Sequence, residues 1–197
     1  MRYINSCKVI CASKYFDYKE MNILYDKGVR FFGENRVDEL IKKKEKIRKK
    51  DIEWHFIGHL QRNKVKKIIN EIDVLHTVDS LKLLQEIQKH RNNTLNCLIQ
   101  INLTNEKQKN GILIDEFPSF FNQVKKYDKI NIIGLMTIGK NKDLETTRKI
   151  FSKLKSISKK YNLNELSMGM TEDFQIAIQE GSTMIRLGSY FKKLLKE

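Results

Sequence analysis

Apolar residues fall along the chain in short runs separated by polar stretches, and the runs are of two kinds. The first kind is near-continuous and rich in β-branched or aromatic residues: 9–12, 29–32, 54–57, 74–78, 97–103, 130–138, 166–168 and 183–187. Such runs predict strands. Their lack of alternation predicts strands covered on both faces, as in a parallel sheet. The second kind is periodic. Met21, Leu24 and Tyr25 recur at spacings of three and four, as do Val37, Leu40, Ile41 and Lys44, and Leu81, Leu84, Ile87 and Gln88. Phe117, Phe120, Phe121 and Val124 repeat the pattern, and so do Ile150, Phe151, Leu154 and Ile157. These segments predict helices between the strands. Asp79-Ser80 stands where a helix N-cap belongs, and Thr171-Glu172-Asp173 places cap and acidic residues before a helix over 174–178.

Strand-then-helix units in unbroken order are the arithmetic of a (β/α)8 TIM-type barrel, an α/β fold of usually about 250 residues. At 197 residues the chain makes a compact single barrel domain over 1–197. An open doubly wound sheet competes, but eight units in order favour closure.

Composition adds bounds. The chain is 40% hydrophobic and 31% charged, which marks a globular protein. No run of eighteen apolar residues predicts a membrane span, and the first five residues lack a signal peptide's apolar core, so the expectation is cytoplasmic. Cys7, Cys11 and Cys97 read as buried thiols of a reducing compartment. The net charge of +14 raises nucleic-acid binding. Its lysine pairs, however, are spread through nearly every polar stretch instead of forming one face with interleaved aromatics, so no nucleic acid is expected. His55 and His59 are four apart, but the strand and turn between them keep them off a shared helix face, so no metal is expected.

In such a barrel the chemistry lies at the C-terminal ends of the strands. There the chain places Ser13-Lys14, Gly33-Glu34-Asn35, Gly58-His59, Asp79-Ser80, Met136-Thr137, Ser167-Met168-Gly169-Met170-Thr171 and Arg186-Leu187-Gly188-Ser189. The loops after the seventh and eighth strands offer hydroxyls and backbone amides, as a phosphate site requires. Lys14 ends a buried strand, where desolvation makes an amine a nucleophile toward carbonyls. Arg186 lies on the strand that closure puts beside it. An amine, a phosphate cradle and a ring-facing arginine suit pyridoxal 5′-phosphate (PLP), with a Schiff base on Lys14 and Arg186 at the pyridine nitrogen. An arginine there leaves the ring nitrogen unprotonated and the ring a weak electron sink. The plain alternatives are a lysine that snorkels to water and an arginine ion-paired with Glu34 or Asp79.

The stretches "FFGENRVDEL", "WHFIGHLQRNKV", "LHTVDS", "LIQINLTNE", "GLMTI" and "LSMGMTEDFQIAIQEGSTMIRLGS" follow in order from 31 to 189. They resemble the PLP homeostasis protein family, whose barrel is similar to the N-terminal domain of alanine racemase. The resemblance implies PLP on Lys14, with phosphate contacts at Ser167, Met168, Met170, Thr171, Gly188 and Ser189. It implies Arg186 at the pyridine nitrogen, and Asn35 and Met136 near the cofactor. It further implies a carrier or buffer of PLP with little or no catalysis. Donation to PLP-dependent apo-enzymes and a monomeric state are expected beside it. A small PLP-dependent amino-acid racemase, using Lys14 with water or Tyr15 as second base, is the alternative. A phosphate-binding isomerase without PLP stands behind it. Departures from the family are a shortened segment before the first strand, Ser189 for its threonine, and Tyr190-Phe191-Lys192 at its "IFG" ending.

Overall fold

The computed structural model describes residues 3–4, 6–104 and 110–196. Met1, Arg2 and Asn5 of the first five residues, and Asn105 and Glu106 of "LIQINLTNE", lie outside them. The order is β1 (Tyr3–Ile4), β2 (Cys7–Ala12), α1 (Tyr18–Asp26), β3 (Phe31–Glu34), α2 (Val37–Ile47), β4 (Glu53–Phe56), α3 (Val65–Ile68), β5 (Val74–Val78), α4 (Leu81–His90) and β6 (Leu95–Asn102). It continues with β7 (Ile112–Leu113), α5 (Phe117–Val124), β8 (Ile130–Met136), α6 (Leu144–Lys160), β9 (Glu165–Ser167), α7 (Phe174–Gln179), β10 (Met184–Leu187) and α8 (Ser189–Leu194).

Eight of these strands form a closed parallel barrel in the order β2, β10, β9, β8, β6, β5, β4, β3, and β3 returns to pair with β2. The chain is therefore a (β/α)8 barrel, and the open sheet is excluded. The two remaining strands have no counterpart in the apolar pattern. β1 pairs antiparallel with the start of β2, and β7 adds to β6. Both are two residues long, too short to show a period. The second strand begins two residues later than its apolar run, because Gly28 turns with φ at 91° and Val29 N–H closes that turn on Leu24 C=O. After β4 the chain makes a 3-10 turn at Arg62–Lys64 and then a single helical turn, α3.

Side-chain alternation divides the core in two. Val9, Cys11, Phe32, Trp54, Leu75, Ile99 and Leu166 point outward and pack with Leu24, Leu40, Ile87, Phe151 and Ala177 of the helices. The barrel interior is smaller. It holds one apolar group of Ile10, Phe31 and Met184, and another of Val74, Leu98 and Met136, with Ile133 touching both. Cys7, Cys11 and Cys97 are buried free thiols. Ser80 caps α4 through Leu83 N–H, as its position before Leu81 implies. Among the described residues no helix is long and apolar enough to cross a membrane.

Candidate functional site at the C-terminal barrel mouth

A cavity of about 650 Å³ opens at the C-terminal mouth. Ala12, Lys14 and Tyr15 line it from the end of β2; the loop after β8 contributes residues 138–142. Met170, Thr171, Glu172 and Asp173 reach it from the loop after β9, and Arg186 and Gly188 from the end of β10. The volume falls inside the range of small-ligand pockets, about 300–1,000 Å³. Four cations, Lys14, Lys140, Lys142 and Arg186, face two carboxylates, Glu172 and Asp173, so the lining favours an anion.

Lys14 sits in a 3-10 turn, Ser13–Tyr15, directly after β2. Its side chain is exposed, which corrects the expectation of a desolvated amine at a buried strand end. The strand and the Ser13 that follows it are buried, but the turn lifts Lys14, the second residue after the strand, out to solvent. Lys14 Nζ stands 4.7 Å from the centre of the Tyr15 ring. What is buried is the anchor beneath. Lys43 Nζ donates to Glu34 Oε2 at 2.6 Å and to Ser13 C=O at 2.8 Å. Ser13 Oγ donates to the same carboxylate oxygen at 3.0 Å, and Asn35 N–H donates to Glu34 Oε1 at 2.8 Å. The turn that carries Lys14 is thus pinned to β3 and α2 by an ion pair with both partners out of water.

Arg186 is buried, 5% exposed, with its guanidinium donating to Ser167 Oγ at 2.6 Å and to Thr137 C=O at 3.2 Å. Burial lowers its pKa to about 10, opposed by the charge of Asp173. The alternative ion pairs are not made: Glu34 is taken by Lys43, and Asp79 Oδ2 lies 3.0 Å from His59 Nδ1. Gly169 turns the loop after β9 with φ at 98°, and a Cβ there would fall 2.5 Å from Ala177 Cβ, so the loop lies flat on α7. Asp173 does not cap α7 with its side chain; its Oδ1 accepts from Met170 N–H at 2.6 Å. Its carboxyl pKa is raised, mainly by burial. Ser189 opens α8, and its Oγ lies 3.3 Å from Thr171 Oγ1, tying the last two loops together.

Of the residues singled out from the sequence, Lys14, Met170, Thr171, Arg186 and Gly188 line this cavity, and Ser189 touches Thr171. Four lie elsewhere. Asn35 lines a separate depression with Gly58, His59 and Gln61. Met136 is buried in the barrel interior, Met168 packs outward into the helix layer, and Ser167 is buried beneath Arg186. Strand alternation explains the split. Ser167 and Met168 are neighbours, so they take opposite faces. The sequence reading missed Asp173 and the 138–142 loop as parts of the cavity wall. Gly139 with Lys140, Asn141 and Lys142 was a visible turn signal after the sixth barrel strand. It also missed Lys43, whose lysine-rich neighbours made it look like solvated surface.

Residues 16–193 match the family model described as alanine racemase, N-terminal domain. The pyridoxal phosphate homeostasis protein of Aquifex aeolicus is 37% identical over 195 residues, covering 94% of this chain and 86% of that protein. Its counterpart from Helicobacter pylori strain 26695 is 34% identical over 199 residues, covering 94% and 87%. Among solved structures, PipY of Synechococcus elongatus without PLP superposes with a TM-score of 0.91 at 29% identity, over 96% of this chain and 94% of that one. The same protein with PLP bound gives 0.88. Alanine racemase from Corynebacterium glutamicum gives 0.71 at 17% identity, over 95% of this chain and 55% of that one, which is a likeness of fold. The match to the family model and the identity along nearly the whole length place the chain in the pyridoxal phosphate homeostasis protein family, built on the alanine racemase N-terminal barrel.

Proposed function

We propose that this chain, 1–197, is a single PLP-binding domain that holds the cofactor at the C-terminal mouth of its barrel and acts in PLP homeostasis. The observation that carries this is one cavity lined at once by the Lys14 amine, the Arg186 guanidinium and the two loops that end at Thr171 and Gly188. PLP supplies an aldehyde that reacts with amines and a phosphate that seeks donors. The donor set fits it. Lys14 is the amine available to the aldehyde. Thr171 and Ser189 bring hydroxyls 3.3 Å apart to the phosphate end. Arg186 lies on the ring side, and its permanent positive charge holds an adjoining ring nitrogen unprotonated. Met170 N–H is already engaged by Asp173, so the Thr171 and Ser189 hydroxyls carry the phosphate. Ser167 acts through Arg186; Asn35, Met136 and Met168 shape the barrel around the site.

A weak electron sink suits storage and transfer better than turnover. The role is that of a carrier that can pass PLP to apo-enzymes, as a cytoplasmic monomer with little or no catalysis. One observation favours the racemase reading: Tyr15 is half exposed, with its ring under Lys14 Nζ, where a second acid or base would stand. Titration of the PLP-free chain with PLP decides between them. A visible band that rises to one equivalent, is lost in Lys14→Ala and passes to an added apo-enzyme is the expected result. A chain that stays colourless refutes PLP binding, and racemisation at enzymatic rates by the pure chain, abolished in Tyr15→Phe, replaces the carrier with the racemase.

A further inference from the structure

Beneath the cavity a line of polar side chains crosses the apolar barrel interior. Arg186 Nη1 donates to Ser167 Oγ at 2.6 Å. Ser167 Oγ lies 2.8 Å from His76 Nδ1, and His76 Nε2 lies 2.8 Å from His55 Nδ1. His55 Nε2 comes within 2.9 Å of Glu53 Oε1, which also accepts from Lys8 Nζ at 2.8 Å. Glu53 and Lys8 line a depression at the opposite, N-terminal mouth, with Asp73, Asn96 and Glu165. The line therefore runs from one end of the barrel to the other. Ser167 and both histidines are fully buried.

The proton positions follow from the donors. A guanidinium can only donate, so Ser167 Oγ accepts from Arg186 and its own proton must go elsewhere. The neighbour within reach is His76 Nδ1. If that nitrogen carried a proton, the serine hydroxyl would be left buried without an acceptor, at a cost of about 1–3 kcal/mol. His76 Nδ1 therefore accepts, and the ring proton sits on Nε2. That proton is donated to His55 Nδ1, which places the His55 proton on Nε2, facing Glu53. Charging either ring is opposed by burial. The other ring, Arg186 and Lys8 oppose it further at His76, while Lys8 opposes and Glu53 favours it at His55. His55 Nε2 is the one buried side-chain nitrogen or oxygen without hydrogen-bond geometry among the described residues, so the last link to Glu53 is close but open.

We propose that Ser167, His76 and His55 form a directed relay of neutral rings that positions Arg186 and couples it to the Glu53 carboxylate at the far mouth. Arg186 has no carboxylate within ion-pair distance among the described residues. The relay supplies the counterpart: each link orients its dipole toward Arg186, with Glu53 as the terminal negative charge. His76, His55 and Glu53 are positioning residues. Resting on the PLP reading, the relay also sets how firmly Arg186 is held against the cofactor ring.

Nitrogen-15 NMR of the PLP-free chain tests the relay without the cofactor. For both His55 and His76 the expected signature is a bare Nδ1 and a protonated Nε2, unchanged from pH 8 to pH 6. Glu53→Gln is expected to move the His55, His76 and Arg186 side-chain resonances in that order of size. Ser167→Thr, which keeps the hydroxyl, is expected to preserve the His76 signature, whereas Ser167→Ala releases it. A protonated Nδ1 on either ring, or a Glu53→Gln change confined to His55, overturns the relay. A second arm separates this from the functional reading. With the relay intact, Glu53→Gln shifts the pH midpoint of the bound PLP band by about half a unit or more; a relay signature in a chain that never binds PLP would sink the functional reading and leave the relay standing.

Discussion

Removing the cation beneath the Lys14 turn should be among the most damaging single changes in the molecule. In Lys43→Met the methionine fills most of the lysine's volume, so little cavity forms. What is lost is the charge. Glu34 Oε2 keeps Ser13 Oγ at 3.0 Å, and Oε1 keeps Asn35 N–H at 2.8 Å, but the 2.6 Å ammonium contact disappears. Ser13 C=O loses the ammonium as a donor but keeps Phe16 N–H at 3.0 Å. Breaking one side of a buried pair costs about 3–5 kcal/mol, because the remaining charge stays in a poorly polarisable site. That is a large part of a typical stability of about 5–15 kcal/mol. For a chain of this size each kcal/mol is worth about 2–4 °C, so the melting temperature should fall by about 6–20 °C. Urea denaturation gives the free energy directly. Glu34→Gln combined with Lys43→Met removes both charges and should recover more than half of the loss. A loss under about 1 kcal/mol, or a double variant no better than the single, would refute the claim that a buried ion pair anchors the turn. Added salt is a further control, since a pair out of water should be barely screened.

Three more outcomes follow from the packing. Gly134→Ala would put a Cβ 1.9 Å from Glu165 C=O, a backbone atom of the neighbouring strand that cannot step aside, so a loss of about 3 kcal/mol or more is expected in urea denaturation. The pKa values of His55 and His76 are lowered, chiefly by burial, while the unfolded chain takes up protons below about pH 6.5. Their contribution is therefore complete above that pH and is lost as pH falls, by at most about 2.7 kcal/mol per unit for the two together. Denaturation midpoints at pH 7 and pH 5.5 measure it, and a flat profile would count against neutral buried rings. Burial also raises the thiol pKa values, that of Cys7 to about 11 and those of Cys11 and Cys97 well above the usual thiol range, so a thiol reagent at pH 8 should label the chain only on the timescale of unfolding.

What the sequence alone determined here is the order and type of the large elements. Strands buried on both faces must be apolar throughout, and helices lying on a barrel must be apolar on one stripe, so both leave a period that can be read without a structure. That is why the eight barrel strands appear within a few residues of their observed bounds, and why Lys14, Arg186 and the last two loops could be assigned to one mouth. Strand ends converge by topology. The tertiary structure decided what depends on neighbours distant in the chain. Closure of β3 on β2 brought Lys43 under Ser13 from 30 residues away, and brought Ser167 to His76 across 91. It turned Lys14 out to solvent while burying its support, sent Asn35 to another depression and faced Met168 away from the cavity. No local pattern encodes these outcomes. A buried polar group is settled by the partner that satisfies it, and that partner is chosen only when the barrel closes.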